Sequence, residues 1–183
     1  MTRRSVRPEP AARVEVRVCP PRPGFSHPAG ADDITALLAF FGPAVVYGLR
    51  RIELRQSVGG DRAGLKVAGL KVPGIVVLFE QPDPPWILSG RWTDDSARRL
   101  RRAGAHVHTS AAGTRVEWPA GTLRDFMLFD GLMHEIGHHM LQRARGKHSV
   151  PAMRTADHER RADAFAASCR RAWNTWTTGV ATW

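Results

Sequence analysis

One stretch of the chain, residues 132–139, restricts the possible folds more than any other. It reads Leu-Met-His-Glu-Ile-Gly-His-His and lies within apolar residues spaced as in a helix. This spacing predicts one long helix over about residues 123–145. Such a helix places His134 and His138 on one face, because residues four apart lie one turn apart, with about 5–6 Å between their Cβ atoms.

Two imidazoles in this arrangement can bind one metal ion, with Zn–N bonds of about 2.0–2.1 Å. Glu135 is rotated by about 100° from His134 around the helix. It therefore borders the open position of the metal, where a carboxylate can take a proton from metal-bound water. The alternative without a metal is that these residues form a polar stripe on a buried helix. We favour the metal site, because burying imidazoles and a carboxylate among apolar neighbours is costly unless they are paired or metal-bound.

A catalytic zinc usually has three protein ligands and one water, so a third ligand must come from elsewhere in the chain. A histidine six residues after His138 would match the metzincin pattern, but that position is Ala144. His148 falls in a predicted loop, and His158 begins the next predicted helix. We consider Glu159 the better candidate.

The segment after Glu159 supports this choice. A second helix is predicted over about residues 157–176, and Asp163 follows Glu159 by one turn on the same face. The small residues Ala162 and Ala166 on that side would let the two helices approach closely. Asp163 could then accept a hydrogen bond from the distal ring nitrogen of either ligand histidine, which fixes the tautomer and raises ligand basicity.

The motif His-Glu-x-x-His, followed about 20 residues later by Glu-x-x-x-Asp, resembles the gluzincin metallopeptidases. The fuller pattern, His-Glu-Ile-Gly-His and then Glu-x-x-Ala-Asp-x-Phe-Ala, looks more specifically like the ImmA/IrrE family and the minigluzincins. The resemblance is specific over about residues 122–170. It implies a small sheet ahead of the active-site helix, with an edge strand that aligns a peptide substrate.

The resemblance also implies a role for each residue of the motif. It implies one Zn²⁺ per chain, bound by His134, His138 and Glu159. Glu135 would be the general base, and Asp163 would support a ligand histidine from behind.

Other candidate residues have two interpretations that the sequence leaves open. The segment Arg115-Val116-Glu117 is either the substrate-aligning edge strand over the cleft or an ordinary hairpin arm. His148 is either a hydrogen-bond donor to the oxyanion or a polar loop residue. Asp130, one turn before His134, either supports the site or is simply solvated.

The order of the predicted elements favours an α+β fold. We expect a small mixed, twisted sheet with flanking helices in the first two thirds, followed by the zinc-binding helix and the glutamate helix. Predicted strands include Val14–Val18, about Val45–Leu54, the apolar run Gly74–Phe79, and a hairpin over residues 105–118. Residues 1–11 resemble a disordered basic tail, and residues 12–183 a single zincin-like domain.

Composition limits the alternatives. No run of about 20 apolar residues predicts a membrane span, and the charged N-terminus with no apolar segment after it predicts no secretory signal. Two cysteines are too few for a disulfide framework, so we expect a cytoplasmic protein. The net charge of +10 keeps a nucleic-acid partner open, although the arginines are scattered.

Three functions therefore compete at this stage. The first is zinc-dependent hydrolysis of peptide bonds in a peptide or protein substrate. The second is a regulatory protein that acts on a single partner, such as a DNA-bound repressor. The third is a basic nucleic-acid-associated protein with a structural zinc, which is the weakest, because structural zinc sites usually have four protein ligands.

Overall fold

The structure is a computed structural model, and it describes residues 14–57, 67–72, 74–89, 92–144 and 155–180. The predicted tail and His148 lie outside the described residues.

The described strands and helices alternate through the first two thirds of the chain, and helices follow. The strands are β1 (Glu15–Val18), β2 (Phe25–Ser26), β3 (Arg51–Arg55), β4 (Ala68–Val72), β5 (Ile75–Phe79), β6 (Gln81–Pro82), β7 (Trp86–Leu88), β8 (His106–Ser110) and β9 (Gly113–Glu117). The helices are α1 (Ala31–Phe41), α2 (Pro43–Val46), α3 (Asp94–Arg102), α4 (Thr122–Phe126), α5 (His134–Ala144) and α6 (Ala156–Val180). This arrangement confirms the α+β class.

The largest sheet is mixed, as predicted, and has the strand order β1-β3-β5-β4. β1, β3 and β5 are parallel, and β4 pairs with β5 in the antiparallel direction. The apolar run of β5 lies in the interior of the sheet, because its residues Ile75–Leu78 are buried on both faces. β4 forms one edge of this sheet and packs against α5.

A second sheet has the strand order β7-β9-β8, which corrects one prediction. The hairpin of β8 and β9 forms as expected, but β9 also pairs with β7, where Ile87 lies opposite Arg115. The segment Arg115–Glu117 is therefore a central strand, and its prediction as an edge strand was wrong. The sequence pattern of a hairpin predicts that β8 and β9 pair with each other. It gives no information about β7, which pairs with the other side of β9 and is distant in sequence.

One local prediction also needs correction. The strand predicted over Val45–Leu54 is only β3, because the chain first forms the short helix α2. Pro43 occupies the first turn of that helix, where its fixed φ favours helical geometry.

The predicted long helix over 123–145 is helical from Thr122 to Ala144, but it is not uniformly α-helical. A π-helical segment, Met127–Met133, joins α4 to α5 and ends immediately before His134. Its Gly131 packs so closely on the sheet that an added Cβ would lie 2.9 Å from Cγ1 of Val67. Such π-helical turns often occur at functional sites.

The buried apolar residues form one cluster between the sheets and the helices. It includes Ile52, Leu78 and Trp86 from the strands and Phe126 and Leu132 from the helical region. α5 and the π-helical segment both pack against α6. The helix pair that carries the predicted site therefore rests on the core.

Candidate metal centre

The first two predicted ligands lie on α5, which begins at His134. His134 and His138 are one turn apart, and their Nε2 atoms are separated by 3.0 Å. Both residues are buried, with exposed fractions of 8% and 6%. The imidazole rings meet nearly edge-on, with centroids 4.7 Å apart. The helix thus directs one nitrogen of each ring to a common point.

The third predicted ligand, Glu159, comes from α6. Its Oε2 lies 3.3 Å from Nε2 of His134, and its Oε1 lies 3.3 Å from Nε2 of His138. Its side chain is 42% exposed, so the carboxylate closes the site from the solvent side. The structure therefore brings together His134, His138 and Glu159, which form a group that could hold a metal ion.

Small residues allow the two helices to approach. A Cβ added at Gly137 would lie 3.1 Å from the backbone Cα of Ala162 and 3.2 Å from the ring of Phe165. Ala162 is fully buried and Ala166 is 6% exposed. The predicted small-residue contact is therefore present, and it brings Glu159 within reach of α5.

The separations between these atoms can be compared with those around a metal ion. A tetrahedral centre with bonds of about 2.0–2.1 Å places its ligand atoms about 3.3 Å apart. The observed separations are 3.0, 3.3 and 3.3 Å. A hydrogen bond between the two imidazoles would also give 3.0 Å, but it would not require a carboxylate near both nitrogens. Within the described ranges, no other group of three such ligands forms.

Glu135 follows His134 directly and is 4% exposed. Its carboxylate does not belong to the ligand group, which agrees with its different direction on the helix. A buried carboxylate beside a metal site suits proton transfer better than metal binding at this position.

Asp163 lies one turn after Glu159 and contacts the other side of the His134 ring. Its Oδ1 is 2.9 Å from Nδ1 of His134. The carboxylate lies off the direction of the ring N–H, so Nδ1 has no partner in hydrogen-bond geometry. The Asp163 side chain is 69% exposed, so a small rotation would align it.

Three of the weaker candidates lie elsewhere. Arg115 and Glu117 pair with each other on β9, where the bond from Arg115 lowers the pKa of the Glu117 carboxyl. Val116 is fully buried between the neighbouring strands. None of the three belongs to the ligand group, and His148 stays a prediction outside the described residues.

Sequence reasoning missed a cavity of about 260 Å³ beside the ligand group. It is lined by His134, Glu159 and Asp163, by Arg99 and Arg102 of α3, and by Arg170 of α6. Asp130 also lines it and pairs with Arg170, so it is not simply solvated. Arg170 follows Asp163 by two turns on the same helix face, and that spacing was the available signal.

His139 is a buried residue of the same helix with a different partner. Its Nε2 donates to the backbone carbonyl of Tyr47 at 3.3 Å, and its exposed fraction is 2%. Burial lowers the pKa of this imidazole, although the Tyr47 carbonyl opposes the shift. His139 thus joins α5 to the chain after α2 and faces away from the ligand group.

In comparisons with known proteins, no family model, no curated protein and no solved structure matches this chain. Among the described helices, none is both long and apolar enough to cross a membrane.

Proposed function

We propose that this protein is a zinc-dependent metallopeptidase with its metal bound by His134, His138 and Glu159. One observation carries the proposal: two imidazole nitrogens and a carboxylate from two separate helices lie 3.0–3.3 Å from one another. A metal ion at the point that these three groups share would bind both imidazoles and the carboxylate at once.

The donor set favours zinc over other metals. Two imidazoles and one carboxylate are ligands that zinc prefers in catalytic sites, whereas magnesium and calcium prefer oxygen ligands alone. Three protein ligands leave a fourth position for water or substrate. That count distinguishes a catalytic site from a structural one, which usually has four protein ligands.

The chemistry then follows from the chain's own residues. A bound zinc ion supplies a Lewis acid that polarises a carbonyl group and makes water more acidic. In the proposed mechanism, Glu135 accepts a proton from the attacking water and delivers it to the leaving amine. Asp163, whose carboxylate lies 2.9 Å from Nδ1 of His134, would orient the ring once the two are aligned, so that Nε2 is directed to the site.

The order of these residues supports a gluzincin-type assignment, and specifically one of the ImmA/IrrE kind. The histidine helix precedes the glutamate helix, and the supporting aspartate follows the glutamate by one turn. β4 is the strand that matches the substrate-aligning edge, in place of the incorrectly predicted β9. It is antiparallel, lies at the edge of the sheet, and packs against α5. An extended peptide would bind it through main-chain hydrogen bonds.

The proposed metal ligands are tested by measuring the zinc content per chain. Wild-type protein reconstituted with zinc and desalted should retain one zinc per chain, whereas Glu159→Ala should retain little. Asp157→Ala is the matched control, because Asp157 is an exposed acid in the same first turn of α6 and pairs only with Arg160 among described residues. Equal zinc content in Glu159→Ala and wild type would contradict the ligand assignment.

Hydrolysis is tested with Glu135→Gln, which keeps the shape of the side chain and removes its basicity. We expect one zinc per chain and a loss of peptide hydrolysis by roughly 10²–10⁴-fold. A mixture of quenched fluorescent peptides provides the substrate. Wild-type protein that holds zinc but cleaves no peptide, or a Glu135→Gln variant with full activity, would contradict the proposed function.

A further inference from the structure

The cavity beside the ligand group is lined both by residues of that group and by three arginines. His134 and Glu159 of the ligand group line it with Asp163, and the arginines are Arg99, Arg102 and Arg170. Phe129 and Ala166, both buried, lie along it. At about 260 Å³ it is smaller than the 300–1,000 Å³ pockets of drug-sized ligands, so its size suits one side chain or a chain terminus.

The three arginines differ in the hydrogen bonds and ion pairs that they already form with protein groups. Arg170 pairs with Asp130 through its Nη2, which also donates to the backbone carbonyl of Asp125, but its Nε is buried with no hydrogen-bond partner. Arg99 donates to the backbone carbonyl of Asp130 at 3.1 Å, which holds it over the cavity without neutralising it. Arg102 lines the same cavity from an exposed position one turn further along α3.

The charge balance favours an anion once the metal is bound. The carboxylates of Asp130, Glu159 and Asp163 offset three of the five positive charges that the three arginines and a zinc ion carry. The two positive charges that remain are those of Arg99 and Arg102, which are exposed and form no ion pair with a described residue. Two neighbouring guanidinium groups of this kind can bind a carboxylate.

We propose that this cavity is a substrate subsite that binds a peptide carboxylate, so that the enzyme prefers acidic peptides. The inference rests on the proposed peptidase function and adds the substrate class to it. The carboxylate belongs either to an Asp or Glu side chain near the cleaved bond or to the C-terminus of a short peptide. Arg99 and Arg102 contact it directly, and Arg170, fixed by Asp130, adds positive charge to the wall of the cavity.

Binding to the zinc-loaded protein tests the subsite without relying on turnover. Calorimetry compares glutamic acid α-hydroxamate with glutamine hydroxamate, which share the zinc-binding group and differ in one charge. We expect the acid to bind about tenfold more tightly, because hydrogen bonds between charged groups are stronger than neutral ones. A second pair carries the hydroxamate on the succinyl group of succinyl-glycine, with the glycine carboxylate either free or amidated, and it identifies whether a chain terminus is the preferred source.

Two double variants that remove the same charge show which arginines cause the preference for the acidic probe. Arg99→Gln with Arg102→Gln should abolish the preference to within about twofold, since both cavity cations of α3 are lost. Arg98→Gln with Arg101→Gln removes the same charge from the same helix, but neither residue lines the cavity, so it should keep the preference. Absence of a preference in wild type, or an equal loss in both double variants, would overturn the proposal.

The two proposals fail in different ways. If the wild type holds zinc and binds the acidic probe selectively but cleaves no peptide, the subsite stands and the peptidase function fails. If peptides are cleaved with no preference for acidic residues or termini, the peptidase function stands and the subsite fails.

If the protein retains no zinc, the hydroxamates cannot be used. The shift in melting temperature that glutarate causes is then measured instead. Equal shifts in wild type and both double variants then contradict the subsite.

Discussion

Asp163 contacts His134 on the side of the ring opposite to Nε2. Its Oδ1 lies 2.9 Å from Nδ1, while Nε2 of the same ring faces His138 and Glu159. A carboxylate at Nδ1 favours the tautomer with its proton on that atom, which leaves the Nε2 lone pair for a metal. One residue pair thus joins the glutamate helix to the histidine helix, and in the proposed site it favours the form of the ring that can bind zinc.

The substitution Asp163→Asn tests this relationship. It keeps the size of the side chain and removes the charge that favours the Nδ1 proton. We expect zinc to bind roughly 10–100-fold more weakly, because partners of ligand histidines affect metal affinity to this extent. Competition with a chromophoric chelator measures the dissociation constant.

The matched control is Asp157→Asn, an exposed aspartate on the same helix. Its zinc affinity should match that of wild type. At saturating zinc, Asp163→Asn should still bind one ion per chain, because its three ligands remain. Unchanged affinity in Asp163→Asn would show that the 2.9 Å contact does not support the site.

The candidate site was largely predictable because helical spacing fixes it locally. His134 and His138 are one turn apart in any helix, and so are Glu159 and Asp163. The sequence also indicates that the two helices can come close together, because Gly137 and Ala162 leave room for close helix contact. Local geometry and side-chain size therefore sufficed for the ligand group.

The parts that were not predictable depend on contacts between distant segments. β7 pairs with β9 across more than twenty residues, and nothing within Arg115–Glu117 indicates that second partner. The cavity arginines of α3 reach the site only because α3 packs beside the π-helical segment, where Arg99 bonds to Asp130. Strand neighbours and helix docking are set by the whole core, so local periodicity does not reveal them.

Gly137 is expected to be the most size-sensitive position between α5 and α6. A Cβ there would lie 3.1 Å from the Cα of Ala162, which is backbone and cannot rotate away. Gly137→Val should therefore destabilise the protein by about 1–3 kcal/mol, the usual cost of overpacking. It should also weaken zinc binding, because the helices that carry the ligands move apart.

Urea unfolding and zinc competition measure both effects. Gly179→Val on α6 is the control, because an added Cβ there meets nothing within 4 Å. The control should lose neither stability through overpacking nor zinc affinity. Wild-type values for Gly137→Val would mean that the close approach of the helices is not needed.

The ion pair of Arg170 and Asp130 is expected to stabilise the contact between α6 and the π-helical segment. Both side chains are largely buried, with exposed fractions of 26% and 24%. Arg170→Met should cost about 1–3 kcal/mol in the free energy of unfolding, because it leaves a partly buried carboxylate without its partner. Arg171→Met, at an exposed neighbouring position, should cost little.

A double-mutant cycle with Asp130→Asn isolates the pair from other effects of each substitution. We expect a coupling free energy of about 0.5–3 kcal/mol, as found for residues in direct contact. Additive losses in the double variant would indicate that the two residues act independently, and that the pair does not position the π-helical segment.

The two cysteines should differ sharply in reactivity, because one is exposed and the other packs into the core. Cys19 is exposed, whereas Cys169 is 5% exposed on α6. Burial raises the pKa of the Cys169 thiol to about 11, so at pH 8 only about one in a thousand of these groups is the reactive thiolate. Iodoacetamide at pH 8 should therefore modify one thiol per native chain, as counted by mass spectrometry. Cys19→Ser should leave no rapidly modified thiol until the chain is unfolded, and rapid labelling of this variant in its native state would contradict the packing of α6 against the core.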